Sequence, residues 1–377
     1  MIERAARSLY GRGQPWALLA AWTLSGLMAC SSGLGPIGVG LGSPPSTAEE
    51  AQCDLFATGS DAADLRSELS FVDCLLTSRR LDEAASRLAA IVARIESDDP
   101  LKEQVSERLM RLLHIPGQLS GLPAQLRLSP SSIPLPAVEA RIANHTGLLF
   151  LDSGAEVTIL RDSVCSDLDL ERGAGGVAEN AGGDVVGGIY TAQLPHELVL
   201  GSAKLTLPVV VCADLDNFSE VEPRILGVLG ANALGAASYH LNMARGELAL
   251  GAPLPETLVR LDANFQDGRV YVTVSVDGVP VRFLLDTGAD SGEFAASTAQ
   301  DLNLSVRSGG ESRTSYLFGG TQEESGARVT VGRLRSGDEQ REDVDFRVAA
   351  KNRLGVDFLE ERTLVVDRAA GVVGLSP

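Results

Sequence analysis

Residues 148–160 read LLFLDSGAEVTIL, in which an Asp-Ser-Gly-Ala motif follows directly behind a run of apolar residues. The same arrangement returns at residues 282–294, RFLLDTGADSGEF, with Asp-Thr-Gly-Ala behind a second apolar run. Short apolar runs bounded by turn-forming residues are typical of buried strands. The two motifs therefore indicate two buried strands, each ending in a carboxylate.

The similarity between the two halves of the chain extends beyond these motifs. Asp152 and Asp286 lie 134 residues apart, and each is followed by a glycine-rich hairpin pattern and then by a Leu-Gly segment. The Leu-Gly segments are LGANAL at residues 229–234 and LGVDFL at residues 354–359. Because these elements recur in the same order at similar spacing, the sequence predicts an internal duplication of one β-fold.

Composition and charge limit the class of protein. The chain has 377 residues, with 44% hydrophobic residues and 40 glycines, which is too long for one small domain and favours β-structure with many turns. A net charge of −18 disfavours nucleic acid as a partner, because phosphate repels an acidic surface. The four histidines are isolated in the sequence, and neither H-E-x-x-H nor G-x-S-x-G occurs, so we predict no metal and no cofactor.

The N-terminal residues resemble an export signal. Residues 1–29 combine a basic start with a short apolar stretch, which is shorter than the ~20 residues that a spanning helix needs. The sequence LMAC at residues 27–30 resembles a bacterial lipobox, which implies cleavage before Cys30, lipidation of its thiol and, with Ser31 next, sorting to the outer membrane. We therefore expect a lipid-anchored protein of the bacterial cell envelope, facing the periplasm or the surface. An uncleaved anchor and an ordinary signal peptide are the alternatives.

The remaining cysteines are even in number, as is common in exported proteins with disulfides. Cys53, Cys74, Cys165 and Cys212 allow three connectivities. We favour Cys53–Cys74 with Cys165–Cys212, since each pair then lies within one predicted domain, and free buried thiols are the alternative.

Composition shifts divide the rest of the chain into segments. We predict a flexible tether at residues 30–49, a helical module at 50–114, a proline-rich linker or irregular start of the next domain at 115–136, and two β-rich lobes at 121–252 and 253–377. Apolar residues at helical spacing predict about three helices in the module: Leu65, Leu69, Val72 and Leu76, then Leu81, Ala85, Leu88, Val92 and Ile95, then Val105, Leu109 and Leu112. The module is interpreted as a packing or spacer domain, with a site for an unknown protein partner as the alternative.

Each half of the chain resembles a retropepsin-like aspartic protease domain. The resemblance rests on FLDSGA and LLDTGA, on the glycine-rich hairpins and on the two Leu-Gly segments, and it covers about residues 121–377. Retroviral enzymes of this type pair two chains, whereas both halves lie in one chain here, as in pepsin-like enzymes. The fold class implied is mainly β, a two-lobed aspartic protease fold preceded by a small α-helical module and active as a monomer.

The resemblance implies that Asp152 and Asp286, one from each lobe, form a catalytic dyad. Peptide hydrolysis needs an activated water and a proton donor, and two carboxyl groups about 3 Å apart share one proton and supply both. The hydroxyls of Ser153 and Thr287 would cross-link the two loops. The expected active-site loops consist of the residues after each aspartate: Ser153, Gly154, Ala155, Thr287, Gly288 and Ala289.

The alanine that ends each motif affects the expected pH dependence of activity. A hydroxyl at Ala155 or Ala289 could donate a hydrogen bond to the carboxylate and favour its ionised form, which alanine cannot do. We therefore expect raised pKa values for the dyad, and activity nearer neutral pH than in pepsin-like enzymes that carry Ser or Thr there.

The glycine-rich hairpins occupy the position of substrate-covering flaps. Gly187, Gly188, Gly319 and Gly320 suit mobile strands that close over an extended peptide, which would pair with strand edges. Tyr190 is a candidate flap contact, with simple packing as the alternative.

The favoured function is an aspartic endopeptidase that acts on peptide or protein substrates. A catalytically inactive peptide-binding or scaffold lipoprotein of the same fold is the main alternative. A latent protease released by self-cleavage within residues 115–136 is a third. The halves differ beside the motifs, with Thr158 against Gly292 and Asn232 against Asp357.

Overall fold

The structure is a computed structural model that describes residues 53, 64–95, 99–179, 185–308, 313–317, 320–324, 326–337, 339–359 and 361–377. The expected signal peptide, the lipidation site Cys30 and the tether lie outside the described residues. Within the described ranges, no helix combines the length and the hydropathy needed to cross a membrane.

Within residues 64–95 and 99–114, the N-terminal module contains three helices: α1 (Leu65–Thr77), α2 (Leu81–Val92) and α3 (Lys102–His114). They lie where the apolar periodicity predicted helices. Asp64 caps α1, because its carboxylate accepts a hydrogen bond from the backbone N–H of Arg66 at 3.1 Å. Each helix turns its apolar face inward, and the buried core of the module continues into lobe 1 through Val209 and Val211.

Lobe 1 follows the module and is built from short strands. Its strands are β1 (Gln118–Ser120), β2 (Ala124–Arg127), β3 (Ala137–Ile142), β4 (His145–Leu151), β5 (Ile159–Arg161), β6 (Arg172–Glu179), β7 (Val185–Gln193), β8 (Leu198–Leu200), β9 (Ala203–Thr206), β10 (Val209–Ala213), β11 (Ile225–Leu229), β12 (Tyr239–Asn242) and β13 (Glu247–Leu250). Its short helices are α4 (Asp162–Asp167), α5 (Asp216–Val221) and α6 (Ala231–Leu234).

Lobe 2 repeats this pattern of elements. Its strands are β14 (Val259–Arg260), β15 (Ala263–Gln266), β16 (Arg269–Val276), β17 (Val279–Leu285), β18 (Glu293–Ala295), β19 (Val306–Arg307), β20 (Arg313–Leu317), β21 (Gly320–Glu324), β22 (Arg328–Ser336), β23 (Glu339–Ala349), β24 (Arg353–Leu354), β25 (Thr363–Asp367) and β26 (Val372–Ser376). Its helices are α7 (Ala296–Asp301) and a 3₁₀ turn at Val356–Leu359.

Each lobe contains one large sheet with the same central arrangement. Lobe 1 has the order β1-β9-β8-β3-β4-β11-β5-β10-β7-β6, and lobe 2 has β15-β16-β17-β24-β18-β23-β22-β19. The strand of each Leu-Gly segment lies between the strand before the aspartate and the strand after it. It runs parallel to the first and antiparallel to the second. The two aspartates therefore occupy equivalent turns of the duplicated fold.

A shared six-stranded sheet joins the lobes in the order β14-β26-β25-β12-β13-β2. At its centre β12 pairs with β25, and His240 lies opposite Val365. Both residues lie ten positions after the glycine of their Leu-Gly segment, so the ladder brings equivalent residues together across a local two-fold axis. One apolar core continues through both lobes. The predicted fold class, mainly β with a preceding helical module, is confirmed.

The proline-rich segment 115–136 is not an open linker. It contains β1, which pairs with β9, and β2, which forms an edge of the shared sheet beside β13. The segment is therefore part of lobe 1, which agrees with the expected irregular start of that domain rather than with a linker. The strand pairing that the prolines concealed forms with partners about 80 to 120 residues further along the chain.

Two disulfides are present, with the pairing that the sequence argument favoured. Cys53 is bonded to Cys74 of α1, and Cys165 of α4 is bonded to Cys212 of β10. The first bond lies in the helical module and the second lies in lobe 1, so each cross-links a single structural unit.

Candidate active site

The two aspartates lie in tight turns at the ends of β4 and β17. The backbone N–H of Asp152 donates to Leu229 O at 3.0 Å, and that of Asp286 donates to Leu354 O at 2.9 Å. The acceptors belong to the two Leu-Gly segments. This explains why a Leu-Gly segment follows each aspartate in the sequence. Strands on both sides thus hold each turn rigidly.

The two turns face each other across the lobe boundary, and the carboxyl groups of Asp152 and Asp286 lie close enough to interact electrostatically. Asp152 Oδ1 accepts hydrogen bonds from the backbone N–H groups of Gly154 and Ala155, both at 2.9 Å. Asp286 Oδ1 accepts from the N–H of Gly288, also at 2.9 Å. The backbone of each glycine packs against the carboxyl group of the opposite aspartate.

A reciprocal cross-link joins the two loops beneath the carboxyl groups. The Ser153 hydroxyl donates to Leu285 O at 2.7 Å and accepts from Thr287 N–H at 3.0 Å. The Thr287 hydroxyl donates to Leu151 O at 2.7 Å and accepts from Ser153 N–H at 3.0 Å. Ser153 and Thr287 are buried, so these four bonds fix one lobe against the other without competition from water.

Burial, followed by the negative charge of Asp286, raises the pKa of Asp152 well above the ordinary value of an aspartate. The backbone N–H groups of Ala155 and Gly154 act in the opposite direction but do not outweigh these two effects. Two adjacent buried carboxylates cannot both be ionised at low cost, so the pair retains a shared proton. The sequence predicts a raised pKa for the dyad because Ala155 and Ala289 lack a hydroxyl. In the structure, burial and the second carboxylate raise the pKa of Asp152.

This raised pKa predicts a pH-dependent stability. Between the unfolded pKa of about 4 and the raised folded value, the folded protein binds more protons than the unfolded chain. The free energy of unfolding should therefore decline as pH rises through this range, and the decline should be smaller in Asp152→Asn. Denaturant unfolding of both proteins from pH 4 to 8 measures the difference. Parallel curves for the two proteins would contradict the shift.

The described glycines of the two expected flap hairpins, β6–β7 and β20–β21, are not in equivalent positions. Gly187 and Gly188 lie within β7, and Gly188 has a φ of +80° beside a register shift between β6 and β7. Gly320 begins β21 and is in register with Leu317. Gly319 lies outside the described residues. Gly187 and Gly188 thus mark a strand irregularity in lobe 1, whereas Gly320 starts a strand in lobe 2.

Tyr190 lies at the base of the lobe 1 hairpin. Its hydroxyl donates to Asp162 Oδ1 at 2.6 Å, the Arg172 guanidinium stacks on its ring at 4.4 Å, and the side chain belongs to the apolar core. Burial and the bond to Asp162 raise the pKa of Tyr190 to about 12. These contacts favour the packing alternative for Tyr190, and its role as a flap contact stays a prediction.

The helical module docks against lobe 1 beside the active-site loop. Glu156, four residues after Asp152, contacts His114 Nε2 of α3 at 3.1 Å and Arg269 Nη2 of lobe 2 at 2.7 Å. Burial opposes ionisation of Glu156, but the bond from His114 and the charge of Arg269 hold the pKa of its carboxyl below the ordinary value. Sequence reasoning treated His114 as an isolated histidine and missed this bridge, because its partners are distant in sequence.

Asn232 explains one difference between the two halves. Its Oδ1 accepts from the backbone N–H and the hydroxyl of Thr158, both at 2.8 Å, while its Nδ2 donates to Leu113 O at 3.1 Å. In lobe 2, Asp357 accepts from Gly292 N–H at 2.9 Å. An amide can both accept from the loop and donate to the module, whereas an ionised carboxylate can only accept, so asparagine rather than aspartate fits the position that contacts the module.

Lobe 2 carries buried charges that sequence reasoning also missed. Arg353, Glu293 and Arg347 are buried, Arg353 Nε lies 3.6 Å from Asp286 Oδ2, and Arg353 Nη1 contacts Glu293 Oε2 at 2.8 Å. The sequence carries one signal of these charges. The residue before Leu354 is charged, whereas the residue at the equivalent position before Leu229 is Val228. Among the described residues, no three His, Cys, Asp or Glu side chains converge closely enough to hold a metal ion.

Comparison with known proteins gives a partial match. An aspartyl protease family model matches residues 272–365, which include the Asp286 motif and the second Leu-Gly segment. Among solved structures, a crystal structure of a retropepsin-like aspartic protease from Rickettsia conorii is similar, with 20% sequence identity and a TM-score of 0.26. That alignment covers 32% of this chain and 89% of the other. No curated protein matches the chain.

The family match shows similarity to aspartyl proteases for residues 272–365, which lie in lobe 2. The equivalent strand arrangement in lobe 1 relates the Asp152 turn to the Asp286 turn.

Proposed function

We propose that the protein is an aspartic endopeptidase that hydrolyses peptide bonds with a water molecule activated between Asp152 and Asp286. The observation that carries this proposal is the reciprocal geometry of the two turns. Each aspartate packs against the glycine of the opposite turn, and the Ser153–Thr287 cross-link holds the two carboxyl groups in contact. A raised pKa for Asp152 supplies the acid half of an acid–base pair.

The proposed chemistry follows from the shared proton. The ionised carboxylate accepts a proton from water as the water oxygen attacks the peptide carbonyl carbon. The protonated carboxyl donates to the carbonyl oxygen, so that no free oxyanion forms. An extended peptide, bound through main-chain hydrogen bonds under the two flap hairpins, is the proposed substrate. In this proposal Cys30 anchors the enzyme to the cell envelope, where it meets exported proteins.

Cleavage of an unfolded protein substrate between pH 3 and 8 tests the proposal. The wild type should cleave, while Asp286→Asn and Asp152→Asn should each reduce the rate by about 10⁴-fold or to background, because each removes half of the acid–base pair. Thermal unfolding of the variants serves as the control for folding.

A folded wild type without cleavage at any pH would overturn the proposal and favour the peptide-binding alternative. Equal cleavage by wild type and both variants would assign the activity to another site or to a contaminant.

A further inference from the structure

A buried arginine lies beside one member of the dyad. Arg353 Nε is 3.6 Å from Asp286 Oδ2, and the other edge of the guanidinium contacts Glu293 through Nη1 at 2.8 Å. Arg353 is 5% exposed and Glu293 is 7% exposed, so both charges act in an environment with little water. At this depth a charge has a strong effect on the ionisation of a neighbouring carboxyl group.

The fold places this cation in only one of the two equivalent positions. Arg353 of β24 pairs with Leu284 of β17 and with Glu293 of β18. In lobe 1 the matching residue of β11 is Val228, which pairs with Phe150 and with Ile159. An apolar Val–Ile pair in lobe 1 thus corresponds to an Arg–Glu pair in lobe 2. The backbone is duplicated, but the electrostatic surroundings of the two aspartates are not.

The other charged groups around Asp286 come from both lobes. Asp152 faces it from lobe 1, and Glu293 lies on the far side of the Arg353 guanidinium. Arg347 of β23 is in register with Glu293, and its Nη2 is 3.4 Å from Asp290 Oδ1. Arg347 and Asp290 therefore offset one another. Among the described residues, Arg353 is the positive group that forms an ion pair with Asp286, at 3.6 Å.

We propose that Arg353 is a positioning residue that keeps the negative charge of the dyad on Asp286 and its proton on Asp152. The proposal rests on the proposed endopeptidase function and assigns a separate role to each aspartate. Asp286 is the base that takes a proton from water while the water oxygen bonds to the carbonyl carbon. Asp152 is the acid whose proton passes to the carbonyl oxygen as its double bond to carbon becomes single. The dyad retains one proton throughout this step.

Opposing effects do not cancel this preference. The two backbone N–H donors on Asp152 favour its ionised form, but they are dipoles, whereas Arg353 carries a full charge. Glu293 offsets part of that charge, but it contacts the guanidinium edge opposite to the one that faces Asp286. Removing Glu293 should therefore strengthen the effect of Arg353, and removing both should abolish it.

Three variants separate charge from packing. Glu293→Gln keeps the arginine, Arg353→Lys keeps a positive charge, and the double variant Arg353→Met with Glu293→Gln removes both charges, so that no unpaired buried carboxylate is left to unfold the lobe. The acidic limb of the pH–rate profile, which reports the first ionisation of the dyad, should move down in Glu293→Gln. It should stay near the wild-type position in Arg353→Lys and move up by about one pH unit in the double variant.

A second readout does not depend on cleavage. Carboxyl ¹³C NMR of the full chain with labelled aspartate, assigned with Asp152→Asn and Asp286→Asn, reports which carboxyl group ionises first. Asp286 should ionise first in the wild type, and this order should weaken or reverse in the double variant. Ionisation of Asp152 first in the wild type, or the same titration in wild type and double variant, would overturn the proposal. If the wild type does not cleave at all, the endopeptidase function fails while the titration still decides the role of Arg353.

Discussion

Replacing Gly288 with alanine is expected to abolish cleavage and to lower the free energy of unfolding by about 3 kcal/mol. A Cβ atom at this position would lie 2.6 Å from both carboxyl oxygens of Asp152, which is closer than real contacts of this kind. The carboxyl group cannot move away, because it is held by Gly154 and Ala155. Either the dyad is displaced or the two lobes separate. Chemical denaturation and the peptide cleavage assay measure the two effects.

Gly175 of lobe 1, which lies outside the two aspartate turns, provides the control. At Gly175 of β6 an added Cβ would have its nearest neighbour, Ile189 O, at 3.8 Å, so Gly175→Ala should change the stability by less than about 1 kcal/mol. Gly154→Ala should behave like Gly288→Ala, because its Cβ would lie 2.6 Å from Asp286 Oδ2. A fully stable and active Gly288→Ala variant would show that the two turns lie further apart than these distances.

The Ser153–Thr287 cross-link gives the second large effect. Ser153→Ala should destabilise the protein by about 2 to 4 kcal/mol, since it leaves the buried N–H of Thr287 and the buried carbonyl of Leu285 without the partners they have now. Thr287→Ala should act equally, because it removes the symmetry-related pair of bonds. Denaturant unfolding near neutral pH provides the measurement.

The double variant tests whether the four bonds form one network. Since the two hydroxyls bond to each other's backbone, the combined loss should be smaller than the sum of the single losses. Ser202→Ala, in the exposed turn between β8 and β9, should change the stability by less than about 0.5 kcal/mol. Strictly additive losses would indicate that the two loops are held independently.

Prediction from sequence succeeded where the signal was local or repeated. The helical periodicity around Leu69 and Leu88 marked α1 and α2, and the repeated Asp-Ser/Thr-Gly-Ala motif marked two equivalent turns. The prolines of residues 115–136 concealed pairing between distant strands, as in β2. For Tyr190 the local pattern left both alternatives open, because a residue near a glycine pair has the same pattern whether it faces a ligand or the core.

The sequence by itself determined the duplication, the mainly β fold and the two aspartates, because these properties depend on residue order and apolar periodicity. Only the tertiary structure decided that Arg353 meets Asp286, and that His114 and Arg269 meet at Glu156. The partners in these contacts lie 42 to 113 residues apart, and no local pattern relates them. Ionisation depends on burial and on distances between charges, and both are set only when strands from remote parts of the chain pack together.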